Sequence, residues 1–143
     1  MGQARDTLDK LTKAAVEAHS VDSVIRMYSD NAVLSTPDAG EITGQGQIAE
    51  YWRQFIDGFP DATYQYLSKI EAGDKAVDEG WFEGTNTKPI TLPSGETMPA
   101  TGKHIKMRAC DVATVKDGKV VEHHLYFDEL DFQRQMGLIE PGH

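Results

Sequence analysis

The chain has 143 residues and carries 14 Lys and Arg against 23 Asp and Glu, a formal net charge of −9 at pH 7. With no basic cluster, nucleic acid and anionic membrane are excluded as partners, because both demand a positive footprint. No apolar run approaches the roughly 20 residues of a membrane span, the N-terminus lacks a signal peptide's apolar core, and the lone Cys110 leaves no internal disulfide, so a single cytoplasmic domain over 1–143 is expected.

Residues 3–19 place Leu8, Leu11, Ala14, Ala15 and Ala18 at three- and four-residue spacings, which predicts an amphipathic helix. Ser20 is suited to cap a second, short helix with Val21, Val24, Ile25 and Tyr28 as its apolar face, ending at a Ser29-Asp30-Asn31 turn. Ala32-Val33-Leu34 reads as a short strand broken by Pro37-Asp38-Ala39-Gly40. Gly44-Gln45-Gly46 leads into a third helix over 47–57, which offers Ile48, Trp52, Phe55 and Ile56 to one side.

Past Gly58-Phe59-Pro60-Asp61 the period becomes alternating. A strand over 63–70, a Gly73-Asp74 turn and a partner strand over 76–83 follow. The polar stretch 84–102, with Pro89, Pro93, Pro99 and a Ser94-Gly95 tip, reads as a long loop. A hairpin over 103–128 turns at Asp117-Gly118, the pair suited to a type I′ turn because both central positions need positive φ. A closing helix over 130–138 is stopped by Gly137 and Pro141. Helices first and strands afterwards argue α+β, with helices on one face of an antiparallel sheet.

The final hairpin carries the candidate chemistry. Ile105, Met107, Ala109, Asp111, Ala113 and Val115 share one face, so Asp111 is the one charge on an apolar surface. With a two-residue turn and no irregularity, Asp111 lies opposite His124, Val112 opposite His123 and Met107 opposite Asp128. An Asp that orients a histidine is a workable acid/base unit; a satisfied structural pair is the plainer alternative. The partner strand, however, has its more apolar side at Val121, His123, Leu125 and Phe127. Either both faces are covered, or a bulge shifts the register by one and gives His123, rather than His124, the face of Asp111.

Adjacent His123 and His124 point to opposite faces, and no clustered ligand set appears, so no metal site is expected. Cys110, mid-strand, reads as a small buried filler. Trp52, Phe55, Phe59, Tyr64, Tyr66, Trp81, Tyr126 and Phe127 supply aromatics for a core or an apolar cavity, and Glu79 alternates with Trp81 on its strand.

Taken in order, Tyr28-Ser29-Asp30-Asn31-Ala32-Val33, Gly44-Gln45-Gly46-Gln47-Ile48, Thr101-Gly102-Lys103 and the run Asp117 to Asp128 followed by a Leu-rich helix resemble the SnoaL-like polyketide cyclase and ester cyclase family. This family lies within the nuclear-transport-factor-like, or ketosteroid-isomerase-like, superfamily. The resemblance implies a cone-shaped curved antiparallel sheet wrapped around N-terminal helices (the cystatin-like fold), enclosing a deep apolar pocket for a small apolar molecule. It also implies a homodimer or homotetramer built on the sheet's outer face. Family cyclases close a ring by intramolecular aldol condensation, using a carboxylate as acid/base and no cofactor.

A common family form has His-Trp-Asp where this chain has His123-His124-Leu125, so Leu125 stands at the family's acid position while Asp128 is kept. Epoxide-hydrolase relatives would also want an acid at Leu125, and an Arg-x-Asp where Glu79-Gly80-Trp81 stands. The expected catalytic set is therefore Asp111, His123, His124 and Asp128. In it the histidine on the Asp111 face moves the proton, Asp111 orients it and Asp128 is the alternative acid. Trp52, Phe55, Glu79, Trp81, Leu125 and Tyr126 are expected to bind the substrate. A non-catalytic, oligomeric small-molecule binder is the other reading.

Overall fold

The computed structural model describes residues 2–91 and 95–139; Pro93, Ser94 and Pro141, which figure above, lie outside them. Three helices, α1 (Gln3–Val16), α2 (Val21–Ile25) and α3 (Gln45–Gly58), pack over a sheet built from β1 (Tyr28–Thr36), β2 (Gly40–Thr43), β3 (Thr63–Ala72), β4 (Lys75–Thr85), β7 (His104–Lys116) and β8 (Lys119–Phe127). A small separate hairpin, β5 (Ile90–Thr91) with β6 (Thr97–Met98), and a last helix, α4 (Glu129–Gln135), complete the architecture. The sheet is curved and unclosed, with strand order β2-β1-β8-β7-β4-β3. Every neighbouring pair is antiparallel except β1 and β8, which run parallel. The all-antiparallel expectation needs that one correction.

α1 forms where the apolar spacing predicts it and buries Leu8, Leu11, Ala14 and Ala15 against β3, β4 and β7. Each leucine removed from water there contributes about 2 kcal/mol. Ser20 caps α2, its hydroxyl accepting from the Ser23 amide at 3.1 Å. α2 ends earlier than expected, and Ser29-Asp30-Asn31 is not a turn but part of β1. The Val120 amide donates to the Met27 carbonyl at 2.7 Å and draws the chain into the sheet, where Tyr28, Ala32 and Leu34 bury one face of the strand.

The stretch after β4 is more ordered than a loop. Asn86, fully buried, donates to the Gly58 and Lys88 carbonyls and accepts from both the amide and the hydroxyl of Thr101, at 2.8–3.0 Å. This clamp holds the two ends of the excursion together, and β5 pairs with β6 between them.

The turn between β7 and β8 has Asp117 at φ 52° and Gly118 at φ 74°, as the type I′ reading requires. The register beyond it differs from the straight count. Val115 pairs with Val120, but Thr114 pairs with Glu122, so Val121 is an extra residue bulged out of the ladder. Asp111 therefore faces Leu125, not His124; Val112 faces His124, and Ala113 faces His123. Val120, His123, Leu125 and Phe127 now share the concave face with Ala109, Asp111 and Ala113, and His124 goes to the convex face. Cys110 also lies on the convex side, half-buried rather than a core filler.

Candidate active site

The concave face and the helices enclose a cavity. Leu8, Leu11, Ala15 and Val16 come from α1, Trp52 and Phe55 from α3, and Phe82, Met107, Leu125 and Phe127 from the sheet. Among the described residues lining it, Asp111 is the one acidic or basic side chain; Thr12, Tyr51 and Tyr64 supply hydroxyls. An isolated carboxylate on such a wall needs support, because unpaired burial of a charge is costly.

The support is a chain of hydrogen bonds running back into the core. Oδ1 of Asp111 lies 2.7 Å from Nε2 of His123, Nδ1 of His123 lies 2.7 Å from the Tyr28 hydroxyl, and the Trp52 indole N–H donates to that hydroxyl at 3.0 Å. Since the Tyr28 oxygen already accepts from Trp52, its own proton goes to Nδ1. That assignment leaves the His123 proton on Nε2, donated to Asp111. Burial holds the Tyr28 hydroxyl well above the ordinary tyrosine range, so it stays a donor. The His123 side chain is wholly buried, whereas that of Asp111 is 14 % exposed. Of the two, only Asp111 opens onto the cavity, and this single bond to His123 is its hydrogen bond among the described residues.

Behind Asp111 lies a second buried acid. Asp78 on β4 pairs with Asp111 across the ladder and is 1 % exposed. Its carboxylate meets NH2 of Arg5 at 2.6 Å. Burial pushes the Asp78 carboxyl up to about 6, Arg5 opposes that, and Asp111 adds to it. Arg5 is itself held by Asp9 at 2.8 Å, and Asp9 also meets Lys69 at 3.1 Å.

Of the expected catalytic and substrate-binding residues, Asp111, His123, Trp52, Phe55 and Leu125 come together at the cavity or directly behind it. The other five do not. His124 sits on the convex face between Glu122 and Tyr126, 3.1 Å from each; it cannot reach the cavity because the Val121 bulge turned it outward. Glu79, Trp81 and Tyr126 share that outer face. Arg108 and Lys106 lie over the Trp81 ring, Glu79 is 3.8 Å from Arg108, and Tyr126 is 55 % exposed. Their expected role in substrate binding is corrected by the pleat: odd-numbered β4 residues and even-numbered β8 residues after the bulge point away from the helices.

Asp128 ends β8 and caps α4, its carboxylate accepting from the Asp131 amide at 3.0 Å; this replaces its expected role as a second acid. Asp128→Ala should therefore lower stability by about 1 kcal/mol, read by urea denaturation, and should leave any Asp111-dependent turnover unchanged. A loss of turnover in a variant still fully folded would contradict the capping role.

Two residues here lie outside the expected set. The helical reading of 21–28 misplaces Tyr28, which the strand alternation of Ala32, Leu34 and Thr36, extended backwards, puts on β1; Tyr64, one aromatic among several in the sequence, lines the cavity. Among the described residues no group of three or more His, Cys, Asp or Glu could hold a metal ion, and no helix is long and apolar enough to cross a membrane.

The SnoaL-like domain family model matches residues 10–123, whereas no curated protein matches the sequence. Among solved structures, a candidate SnoaL-like polyketide cyclase from Jannaschia sp. CCS1 superposes with a TM-score of 0.79 at 16 % identity, covering 96 % of this chain and 94 % of its own. An NTF2-like protein from Burkholderia thailandensis E264 gives 0.72 at 20 % identity, with 95 % and 98 % covered. An LEH-like epoxide hydrolase from M. tuberculosis gives 0.69 at 15 % identity, with 95 % and 90 % covered. At these identities the likeness is one of fold.

Proposed function

The chain belongs to the family of SnoaL-like domains, and from that premise we propose that it is a cofactor-free acid/base enzyme acting on an apolar, carbonyl-bearing small molecule, with Asp111 as its base. The observation that carries this is the lone carboxylate on an apolar cavity wall, anchored through one oxygen to His123 and so free to use the other. Of the two activities in the reading, ring-closing aldol condensation and isomerisation, both begin the same way. Asp111 takes a proton from the carbon beside a carbonyl, and the C–H electron pair becomes the C=C bond of an enolate. In the cyclisation the enolate carbon then attacks a second carbonyl of the same molecule, and the resulting alkoxide recovers the proton from Asp111.

The roles read from the sequence are exchanged in this proposal. His123 is buried and engaged at both nitrogens, so it orients, and Asp111 moves the proton. The solved candidate cyclase that resembles this chain supports the reaction class. Epoxide hydrolysis is less well supported, since the acid that relatives of that type would want is Leu125 here. The test is hydrogen–deuterium exchange beside the carbonyl of a bound ketone in wild type and Asp111→Asn.

A second reading, a binder without catalysis, is favoured by the same Leu125, which lines the cavity at the family's acid position. Exchange that is no faster with the protein than without it would select this reading.

The proposal includes a homodimer or homotetramer through the convex face, where Ile70 and Tyr126, 54 % and 55 % exposed, flank a groove with Val77 and Cys110. Light scattering should report a multiple of 15.8 kDa that falls to the monomer mass on Ile70→Glu with Tyr126→Glu. A mass unaltered by that pair of changes would remove this part of the proposal.

A further inference from the structure

We propose that Tyr64 is a second catalytic residue, whose hydroxyl donates a hydrogen bond to the substrate carbonyl oxygen as Asp111 withdraws the neighbouring proton; the inference rests on Asp111 acting as the base.

Gly80 makes the placement possible. On β4 it sits inside a strand, where glycine weakens the sheet unless something must come close. A Cβ there would lie 2.4 Å from the Gln65 carbonyl oxygen and 2.7 Å from the Cε2 and Cζ atoms of Tyr64. The phenol ring therefore lies on bare β4 backbone and crosses the strand, and its hydroxyl donates to the Ala109 carbonyl of β7 at 3.2 Å. Ala109 and Asp111 are alternate residues of one strand face, about 7 Å apart, and both line the cavity with Tyr64. Carboxylate and phenol thus stand on one wall of the cavity, where one small molecule can meet both.

Two polar groups that line the cavity from α3 are committed elsewhere: the Tyr51 hydroxyl donates to Asp38 at 2.9 Å, and the Trp52 N–H donates to Tyr28 at 3.0 Å. The Tyr64 bond, in contrast, is longer than the usual 2.5–3.0 Å of an O–H···O bond and uses a backbone carbonyl that a more basic enolate oxygen would outcompete. Burial, with Asp111 and Asp78 adding to it, keeps this phenol protonated far above neutral pH, so it remains a donor while negative charge develops beside it. In the step itself the proton passes from carbon to Asp111, the C–H pair moves into the new C=C bond and the carbonyl pair onto oxygen. Tyr64 keeps its proton and supplies only the hydrogen bond, the stabilisation that counts when it is aimed at charge that develops in the transition state.

The experiment compares 1-tetralone, an apolar ketone, with tetralin, its hydrocarbon counterpart, in wild type and Tyr64→Phe, which keeps the ring on Gly80 and removes only the hydroxyl. Calorimetry should show wild type preferring the ketone and Tyr64→Phe losing about tenfold of that preference, the size of one hydrogen bond in an apolar site. The infrared C=O stretch of bound carbonyl-labelled 1-tetralone should lie at lower wavenumber in wild type and return toward its value in an apolar solvent in Tyr64→Phe. The proposal is overturned if wild type binds the ketone no better than tetralin or not at all, or if preference and stretch survive in Tyr64→Phe. Deuterium exchange in Asp111→Asn separates the two claims. Undiminished exchange there would sink Asp111 as the base, while a Tyr64-dependent stretch would still identify Tyr64 as the carbonyl's donor.

Discussion

Asp111→Asn is expected to slow α-proton exchange of an apolar ketone such as 1-tetralone by about 10²–10⁴-fold, the usual contribution of a positioned base, while the ketone's affinity changes by no more than a few-fold. The amide retains an oxygen that can accept the His123 Nε2–H, now made at 2.7 Å. The cavity wall and the chain through Tyr28 to Trp52 therefore persist, and only the capacity to take a proton is lost. The measurement is deuterium incorporation followed by NMR in D₂O. His124→Ala, on the convex face with Glu122 and Tyr126, serves as the control and should leave the rate within about twofold, as surface changes away from the reacting atoms usually do. His123→Ala should be slow as well but for a different reason. It strips the donor from Asp111 and the acceptor from Tyr28, so its loss of rate should come with a loss of stability of about 1–3 kcal/mol per orphaned group, which Asp111→Asn does not share. An Asp111→Asn rate within threefold of wild type would make the cavity a binding site.

The parts of this site that were legible in the sequence are the local ones. Asp117-Gly118 demanded a turn with two positive φ values and received it, so β7 and β8 had to be neighbours. What pattern alone could not decide was the bulge. Val120 and Val121 are identical side chains, each as good a strand former as the other, and the choice of which one leaves the ladder is made by the burial of Val120 beside Met27 and Tyr28. That one-residue choice decides whether His123 or His124 meets Asp111. The same bulge turns Tyr126 outward. Glu79 and Trp81 mislead for another reason: aromatic and charged groups occupy both sides of β4, so composition does not tell inside from outside.

Contacts distant in sequence were illegible for the same physical reason. Tyr28 is 95 positions from His123, and only the parallel pairing of β1 with β8 joins them, a pairing that no turn announces. The resemblance to a known family named the fold, yet Leu125, at the position where it implies an acid, is a cavity-lining leucine. The carboxylate that lines the cavity is on the neighbouring strand: Asp111 is Leu125's direct partner across the ladder.

The largest effect on stability is expected from Arg5→Met. Arg5 is 4 % exposed in its side chain and joins α1 to the sheet through Asp78 at 2.6 Å, with Asp9 of the same helix bracing it at 2.8 Å, so removing it leaves Asp78 buried without its cation, a change that typically costs about 3–5 kcal/mol. The pH dependence gives the prediction its signature. In wild type the Asp78 carboxyl already stands at about 6 in the folded chain against an ordinary value of 3.8. The folded state therefore holds that proton more tightly than the unfolded state, and the group's contribution is fully present below about pH 4 and lost as pH rises through about 6. Without Arg5 the opposing attraction disappears, the folded value climbs further, and the loss continues to higher pH at about 1.4 kcal/mol per additional unit. The difference in unfolding free energy between wild type and Arg5→Met should thus be smallest near pH 4.5, where Asp78 is protonated in both proteins, and should grow toward pH 8. The residue left at low pH measures the lost bonds to Asp9 and to the Ile70 and Val77 carbonyls. Urea denaturation at half-unit steps would show this, and a difference independent of pH would mean that Arg5 acts through packing alone. Asp78 and Asp111 are directly opposed on adjacent strands, where like charges repel. Arg5 is thus the counter-charge that lets the sheet carry two acids side by side, one sealed against α1 and one open to the cavity.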